Sequence, residues 1–242
     1  MKYMPILPIG MFDINNNTDA FILPQYWYLE EYANFYRTNA WNTVIIDNAM
    51  YEQKDMFDFQ SMINISKMLN AKRIFLVVPE DHSNPFNTVT LAVNCISDYP
   101  PNGWDPMVIV HGSIKEVETQ IKQLRGIKNI GFGIAVSLWR AGFKREAIYR
   151  SNKLSSHYVH AMGLDDIDEI TFLRMAGFNS VDSSIVATAA WNNINLQKDR
   201  QIVRNGGLND PERVKLTQPV FSLVMKNVAA RNIALINQLC EG

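Results

Sequence analysis

Short apolar runs alternate with amphipathic stretches along nearly the whole chain. The runs Met4 to Ile9, Thr43 to Asp47, Arg73 to Val78, Met107 to His111, Ile130 to Gly133, Tyr158 to Met162 and Ser180 to Asp182 read as strands. Between them, Tyr26 to Arg37, Phe59 to Leu69, Asn87 to Ile96, Ile114 to Leu124, Arg140 to Tyr149 and Asp166 to Met175 carry helical patterns. Repeated alternation of this kind implies parallel strands joined by crossover helices. With seven or eight units it predicts an α/β protein, a closed (β/α)8 TIM barrel rather than an open doubly wound sheet. An eighth strand is expected between Val186 and Val203. Thr217 to Leu239 reads as a closing helix with Pro219 in its first turn.

The stretch from Tyr158 to Ala190 is the most informative of these units. Tyr158 to Met162 runs as a buried strand into Gly163. Asp165 and Asp166 supply an N-cap and favourable charge for the helix that follows, and Gly177 closes it. Ile167, Ile170, Leu173 and Met175 form the helix's expected inward stripe. Asn179 to Asp182 then restarts the chain in the direction of the first strand, so the segment is a βαβ unit ending on a carboxylate.

Composition narrows the class. At 242 residues, 47% hydrophobic and 19% charged, the chain can bury one large core, and no linker or low-complexity run divides it; residues 1–242 read as a single domain. A net charge of -1 gives no global basic signal, so contact with nucleic acid needs a local patch. Lys198, Arg200, Arg204, Arg213 and Lys215 are one candidate, and Lys144, Arg145, Arg150 and Lys153 another; a solvated surface is the plain alternative. Cys95 and Cys240 stand far apart and outside any metal-ligand spacing, so neither a structural metal nor a disulfide framework is expected. Pro5, Pro8 and Asp13 interrupt the first apolar run too early for a signal segment or membrane span, which makes the cytoplasm the default.

In a parallel barrel the residues just after each strand line one mouth, where chemistry is placed. The second predicted strand ends in Asp47-Asn48-Ala49-Met50-Tyr51-Glu52 and the third in Pro79-Glu80-Asp81-His82. The fourth ends in His111-Gly112-Ser113 and the fifth in Gly131 to Ala135; the sixth gives His160, Met162 and Gly163, and the seventh Asp182. Several carboxylates, three histidines and glycines that permit close backbone approach suit a polar, planar ligand.

These strand ends resemble, in order over roughly Val44 to Ala190, the tRNA-guanine transglycosylases and their DNA-acting relatives, (β/α)8 barrels that exchange a purine base for a 7-deazapurine. The family's aspartate followed four residues later by a stacking tyrosine looks like Asp47 and Tyr51. Its base-reading acid falls on Glu80, its Gln-Gly on His111-Gly112, and its Gly-Leu-Ala on Gly133-Ile134-Ala135. Its Met-Gly, followed about twenty residues later by a nucleophilic aspartate, is matched by Met162-Gly163 and Asp182.

The resemblance implies a reaction whose chemistry asks for these residue types. Base exchange attacks the anomeric carbon of the sugar, and a carboxylate can form a covalent glycosyl-enzyme through an oxocarbenium-like transition state. Asp182 is the implied nucleophile and Asp47 the implied second carboxylate, which manages the proton of the departing or incoming base. Glu80 would accept from the purine's N–H edge, with His111 and Gly112 beside it and Gly163 next to Met162. Gly133 and Ile134 would offer backbone groups, and Tyr51 and Met162 would sandwich the ring. No cofactor or metal is implied.

Departures narrow the partner. The zinc site and insertion of the tRNA enzymes have no counterpart, the segment after Asp182 reads SSIVAT without the family's arginine, and Asn48-Ala49 replaces Ser-Gly. The chain therefore looks closer to the compact DNA-acting relatives of phages, which implies DNA rather than tRNA, a purine or 7-deazapurine base, a host cytoplasm and possible pairing into homodimers. Reaching a base inside a duplex requires flipping it out or acting on single strands, and the loop Arg204 to Asp210 is a candidate cover. A nucleosidase-type hydrolase on the same site, a tRNA-acting enzyme and a non-catalytic nucleic-acid-binding relative stay open. Singly, each residue also has a plainer role: Asp182 as a helix cap, Asp47 as a turn carboxylate, Met162 as core, His111 and His160 as structural histidines.

Overall fold

A computed structural model of the chain describes residues 1–50, 55–198, 217 and 220–242. The strands are β1 (Lys2–Pro5), β2 (Asp19–Ile22), β3 (Ala40–Ile46), β4 (Asn70–Val77), β5 (Asp105–Val110), β6 (Gly131–Ala135), β7 (Tyr158–Met162) and β8 (Ser180–Ser183). They form one parallel sheet in the order β1-β8-β7-β6-β5-β4-β3-β2, and its two end strands, β1 and β2, lie against each other. The sheet is thereby rolled into a nearly closed barrel. On its outside run α1 (Glu30–Thr38), α2 (Phe59–Ser66), α3 (Pro85–Asp98), α4 (Ile114–Leu124), α5 (Val136–Arg140), α6 (Arg145–Ser151), α7 (Glu169–Ala176), α8 (Ile185–Trp191) and α9 (Leu223–Glu241).

The two-residue period of a strand divides the core in two. Ala20, Val44, Ile46, Ile74, Leu76, Val108, Val110, Val159, Ala161 and Val181 point outward into the layer shared with the helices. Met4, Phe21, Ile45, Phe75, Val77, Met107 and Ile109 alternate with them and fill the barrel. On β6 the inward positions are Gly131 and Gly133. A Cβ at Gly131 would stand 2.9 Å from the Phe75 ring, and one at Gly133 2.9 Å from Met162 Cγ. The missing side chains of β6 are thus the space that Phe75, Met107 and Met162 occupy.

Several expectations need correction. The eighth strand does not follow Val186, where α8 stands; it is β2, four residues between the Asn15-Asn16-Asn17-Thr18 stretch and Pro24. Asp47 therefore follows the third strand and Asp182 ends the eighth. The first strand stops at Pro5, and Ile9–Ile14 is a 3-10 turn. Pro24–Tyr26 is a 3-10 turn ahead of α1, and Gly142, at φ 83°, lies in the break that divides the expected helix at Arg140 to Tyr149 into α5 and α6. Ser222 caps α9, so the closing helix starts later than Thr217; Pro219 lies outside the described residues. Ile167, just ahead of α7, and Ile170 and Leu173 within it are buried, but Met175, two residues beyond Leu173 and so off the stripe, is 69% exposed. The cap expected from Asp165 and Asp166 is absent as such: Asp166 accepts from the Asp168 N–H at 2.9 Å, and Asp165 is gripped by Arg140. Gly177 closes α7 as expected, at φ 106°.

Arg145, at the start of α6, is fully buried, which removes it from any surface patch. Its guanidinium donates to both carboxylate oxygens of Glu169, at 2.7 and 2.6 Å, and to the carbonyls of Ile134, Met162 and Gly163 at 3.0, 3.1 and 2.9 Å. One side chain thus bolts the ends of β6 and β7 to α7. Burial pushes the Glu169 carboxyl above its ordinary value, and Arg145 pulls against that shift. Removing one partner leaves the other as an uncompensated buried charge. Arg145→Ala should cost about 3–5 kcal/mol in urea unfolding, and the double change Arg145→Met with Glu169→Leu should recover most of it. A double variant no more stable than the single one would refute the bolt.

Candidate functional site

Two groups of polar side chains stand on the carboxyl rim of the barrel. The first is built by β7 and β8, whose inward positions are Tyr158, His160 and Met162 on one strand and Ser180 and Asp182 on the other. Asp182 is 5% exposed, and its Oδ1 accepts two hydrogen bonds of 2.8 Å, from His160 Nε2 and from the Gly163 N–H. Gly163 has φ 72°, a backbone conformation that favours glycine and turns its N–H toward the carboxylate. Asp182 Oδ2 receives no hydrogen bond among the described residues. The helix-cap reading of Asp182 fails, because Ser183 Oγ takes the Ile185 N–H at 3.0 Å while donating to the Leu164 carbonyl.

Below Asp182 the polar chain continues inward. His160 Nδ1 lies 2.7 Å from Ser180 Oγ, which lies 2.7 Å from the Tyr158 hydroxyl. An aspartate, a histidine and a serine in series suggest a serine hydrolase, but the order of depth rules that out. Ser180 is fully buried one layer beneath Asp182 and is engaged by both Tyr158 and His160, so the group nearest the mouth is the carboxylate. Sequence reasoning had placed His160 only among mouth residues and structural histidines. Its spacing of two from Tyr158 and Met162 was the signal that it points inward.

The second group lies at the ends of β3, β4 and β5. Asp47 Oδ2 accepts from the Ala49 N–H at 3.2 Å in a tight turn that puts Ala49 at φ 61°, so the turn role weighed for Asp47 is present. Asn48 Nδ2 donates to the Val78 carbonyl and to Glu80 Oε1, both at 3.2 Å. Glu80 is 3% exposed; His82 Nε2 stands 3.3 Å from its Oε1, and His111 Nε2 3.8 Å from its Oε2, too far for a hydrogen bond. Glu80 Oε2 thus has no donor among the described residues although it is buried, an uncommon state for a carboxylate oxygen unless a ligand supplies the donor. The His82 and His111 rings stack at 5.3 Å, and Thr88 Oγ1 lies 3.3 Å from His111 Nε2.

Other expected residues play mixed parts. Gly112 is explained by the entry to α4: its φ is 102°, a Cβ there would stand 2.8 Å from Glu116 Oε2, and Ser113 and Glu116 form a capping box. Ile134 points into the outer core and its carbonyl already accepts from Arg145, whereas Gly133 faces inward under Met162. Ile109 and Met162 both flank Gly133. Tyr51 lies outside the described residues, as do Arg200, Arg204, Arg213, Lys215 and the loop Arg204 to Asp210. Arg150, in the last turn of α6, and Lys153, just beyond it, lie where that helix has run back from the mouth, so they belong to the opposite end of the barrel. Among the described residues no group of three or more His, Cys, Asp or Glu is arranged to hold a metal ion, and no helix is long and apolar enough to cross a membrane.

Two clefts of about 290 Å³ each open at the amino end, one beside Arg73, His157 and Tyr158 and the other beside Lys2, Asp19 and Cys240. Neither contains a residue of the predicted mouth, and barrels of this fold place their chemistry at the other end. The fold and rim define a (β/α)8 barrel with a carboxylate-bearing mouth. The chain matches no protein-family model and no curated protein.

Burial lowers the His111 pKa, a shift that Glu80 opposes. The unfolded chain then takes up a proton on this side chain at a higher pH than the folded one does. Stability linked to His111 is complete above the ordinary histidine value and is lost as pH falls through the window below it. Urea unfolding should therefore show a shallower loss of stability between about pH 7 and 5 for His111→Gln than for the parent. Equal slopes would contradict the assignment.

Proposed function

We propose that the chain is a base-exchange glycosyltransferase that replaces guanine by a 7-deazaguanine-type base in nucleic acid, with DNA as the polymer. The observation that carries this reading is the Asp182 carboxylate at the rim, with Oδ1 held by two donors and Oδ2 left for attack. In the proposed first step a lone pair of Oδ2 forms a bond to the anomeric carbon as the carbon–N9 bond breaks, and its electron pair leaves with the base. In the second, the incoming base attacks the same carbon, the Asp182 ester bond breaks, and Asp47 accepts the incoming base's proton. Glu80 supports a purine substrate: a buried, donor-less Oε2 suits the N1–H and 2-amino edge of guanine. Met162, lying across Gly133, supplies an apolar face for the ring. Exposed Lys144, at the start of α6 on the mouth side, is a described cation suited to a phosphate.

Incubation with labelled guanine and either DNA or tRNA tests the reading. Label in DNA alone is expected. Label in tRNA alone would transfer the activity to that polymer, release of free base would make the protein a hydrolase, and bound polymer with neither product would leave a binding protein. Asp182→Asn should abolish the covalent polymer adduct seen on denaturing gels while the unfolding midpoint of the protein remains measurable; an unchanged adduct would remove Asp182 from its role. Glu80→Gln should weaken guanine binding by about 1.5–3 kcal/mol, roughly ten- to a hundredfold in Kd by calorimetry. Unaltered affinity would take Glu80 out of the base site.

A further inference from the structure

We infer that His160 is the positioning residue of the proposed nucleophile, and that Tyr158 and Ser180 hold it in the one tautomer that can do this. The inference rests on the transglycosylase reading for the reaction it serves, though not for the hydrogen bonds themselves. Asp182 as a carboxylate offers only lone pairs, so the 2.8 Å contact requires a proton on His160 Nε2. In the neutral ring Nδ1 then has a lone pair and accepts the Ser180 hydroxyl proton at 2.7 Å. The Ser180 oxygen in turn accepts from the Tyr158 hydroxyl at 2.7 Å. Burial pushes the Tyr158 phenol up to about 12, which keeps it a donor. Every hydrogen bond therefore points the same way, from Tyr158 through Ser180 and His160 to Asp182.

The ring has no freedom to turn. His160 is 0% exposed, both nitrogens are engaged, and its face stacks on Phe21 with centroids 5.7 Å apart and planes 13° apart. At the far end Tyr158 packs on Phe75 at 4.5 Å, with the Arg73 guanidinium 5.4 Å from its ring and Asp105 bound to that guanidinium. Arg73 and Asp105 thus form a pair of their own at the start of the relay, and buried Asp19 adds a carboxylate that also raises the Tyr158 phenol. The Gly163 N–H joins Nε2 on the same oxygen, Oδ1, which fixes carboxylate rotation and assigns attack to Oδ2. A misplacement of about 1 Å in such a group can cost on the order of a hundredfold in rate.

Histidine-labelled protein tests the relay without substrate. Nitrogen NMR should show the neutral His160 ring protonated at Nε2 and bare at Nδ1, with the Nε2 resonance moving in Asp182→Asn. The opposite tautomer, or a resonance indifferent to Asp182→Asn, would overturn the inference. Single-turnover adduct formation tests the consequence. His160→Phe keeps the stack on Phe21 but removes both ring nitrogens; it should slow the adduct about a hundredfold with polymer Kd unchanged. His160→Gln keeps an amide donor toward Oδ1 and should regain at least about tenfold of that loss. An adduct formed at the parent rate by the Phe variant, or no advantage of Gln over Phe, would also overturn it. Should the Phe variant not fold, Ser180→Ala takes its place: it removes the Nδ1 donor and should yield mixed tautomers and a slower adduct, and a single unchanged tautomer at parent rate would refute the relay. If the parent protein forms no adduct, the transglycosylase reading fails, while the resonances still decide the relay.

Discussion

A parallel strand inside a barrel is covered on both faces, and this constraint governs everything else in the structure. Any polar side chain pointing inward must find its partners inside, because water does not reach it. The barrel meets that demand in two ways. Over most of its interior, Met4, Phe21, Ile45, Phe75 and Met107 leave nothing polar to satisfy. Along β7 and β8, Tyr158, Ser180, His160 and Asp182 satisfy one another in series, and the chain of donors runs out at the rim on a carboxylate. The oxygen left over at that end is the place where a ligand can complete the pattern.

The same rim is held from outside. Arg145 spends its guanidinium on Glu169 and on three carbonyls at the ends of β6 and β7, two of which belong to Met162 and Gly163. Gly163 then presents its N–H inward to Asp182. Asp182 is thus oriented by one buried network within the barrel and by another wrapped around it. The opposite corner is less complete: Glu80 is anchored through one oxygen by Asn48, and its second oxygen has no donor among the described residues. One carboxylate with an oxygen left open at the rim and another short of a hydrogen bond suit the proposed reaction with a sugar and recognition of a base.

Much of this was legible from the hydrophobic pattern. Every strand from β3 to β8 is legible, β3 to β7 by an apolar core between helices with a clear period and the polar β8, Ser-Val-Asp-Ser, by its place after α7 and Gly177. β2 is not, since Ala20-Phe21-Ile22 is too short for a period and runs straight into Pro24. Helix starts are less legible: α9 begins at a Ser222 cap, and α7 has no side-chain cap, Asp165 being an ion-pair partner of Arg140. The stripe of α7 was overdrawn at Met175, where a two-residue step cannot stay on one helix face. Rim residues were legible as strand ends, but their partners were not. Nothing local in the sequence couples Arg145 to Glu169 or His160 to Ser180, which meet only through the register of neighbouring strands and helices.

In the proposed reaction one mouth holds a purine between Met162 and Glu80 above a fixed Asp182. A crystal structure of the protein soaked with guanine tests it most directly. The base is expected in the carboxyl mouth, with Glu80 Oε2 accepting from its N–H edge, Met162 against its face and Asp182 Oδ2 on the side where the sugar would stand. Guanine bound at the amino end of the barrel, or in the mouth with Glu80 Oε2 still lacking a donor, would contradict it.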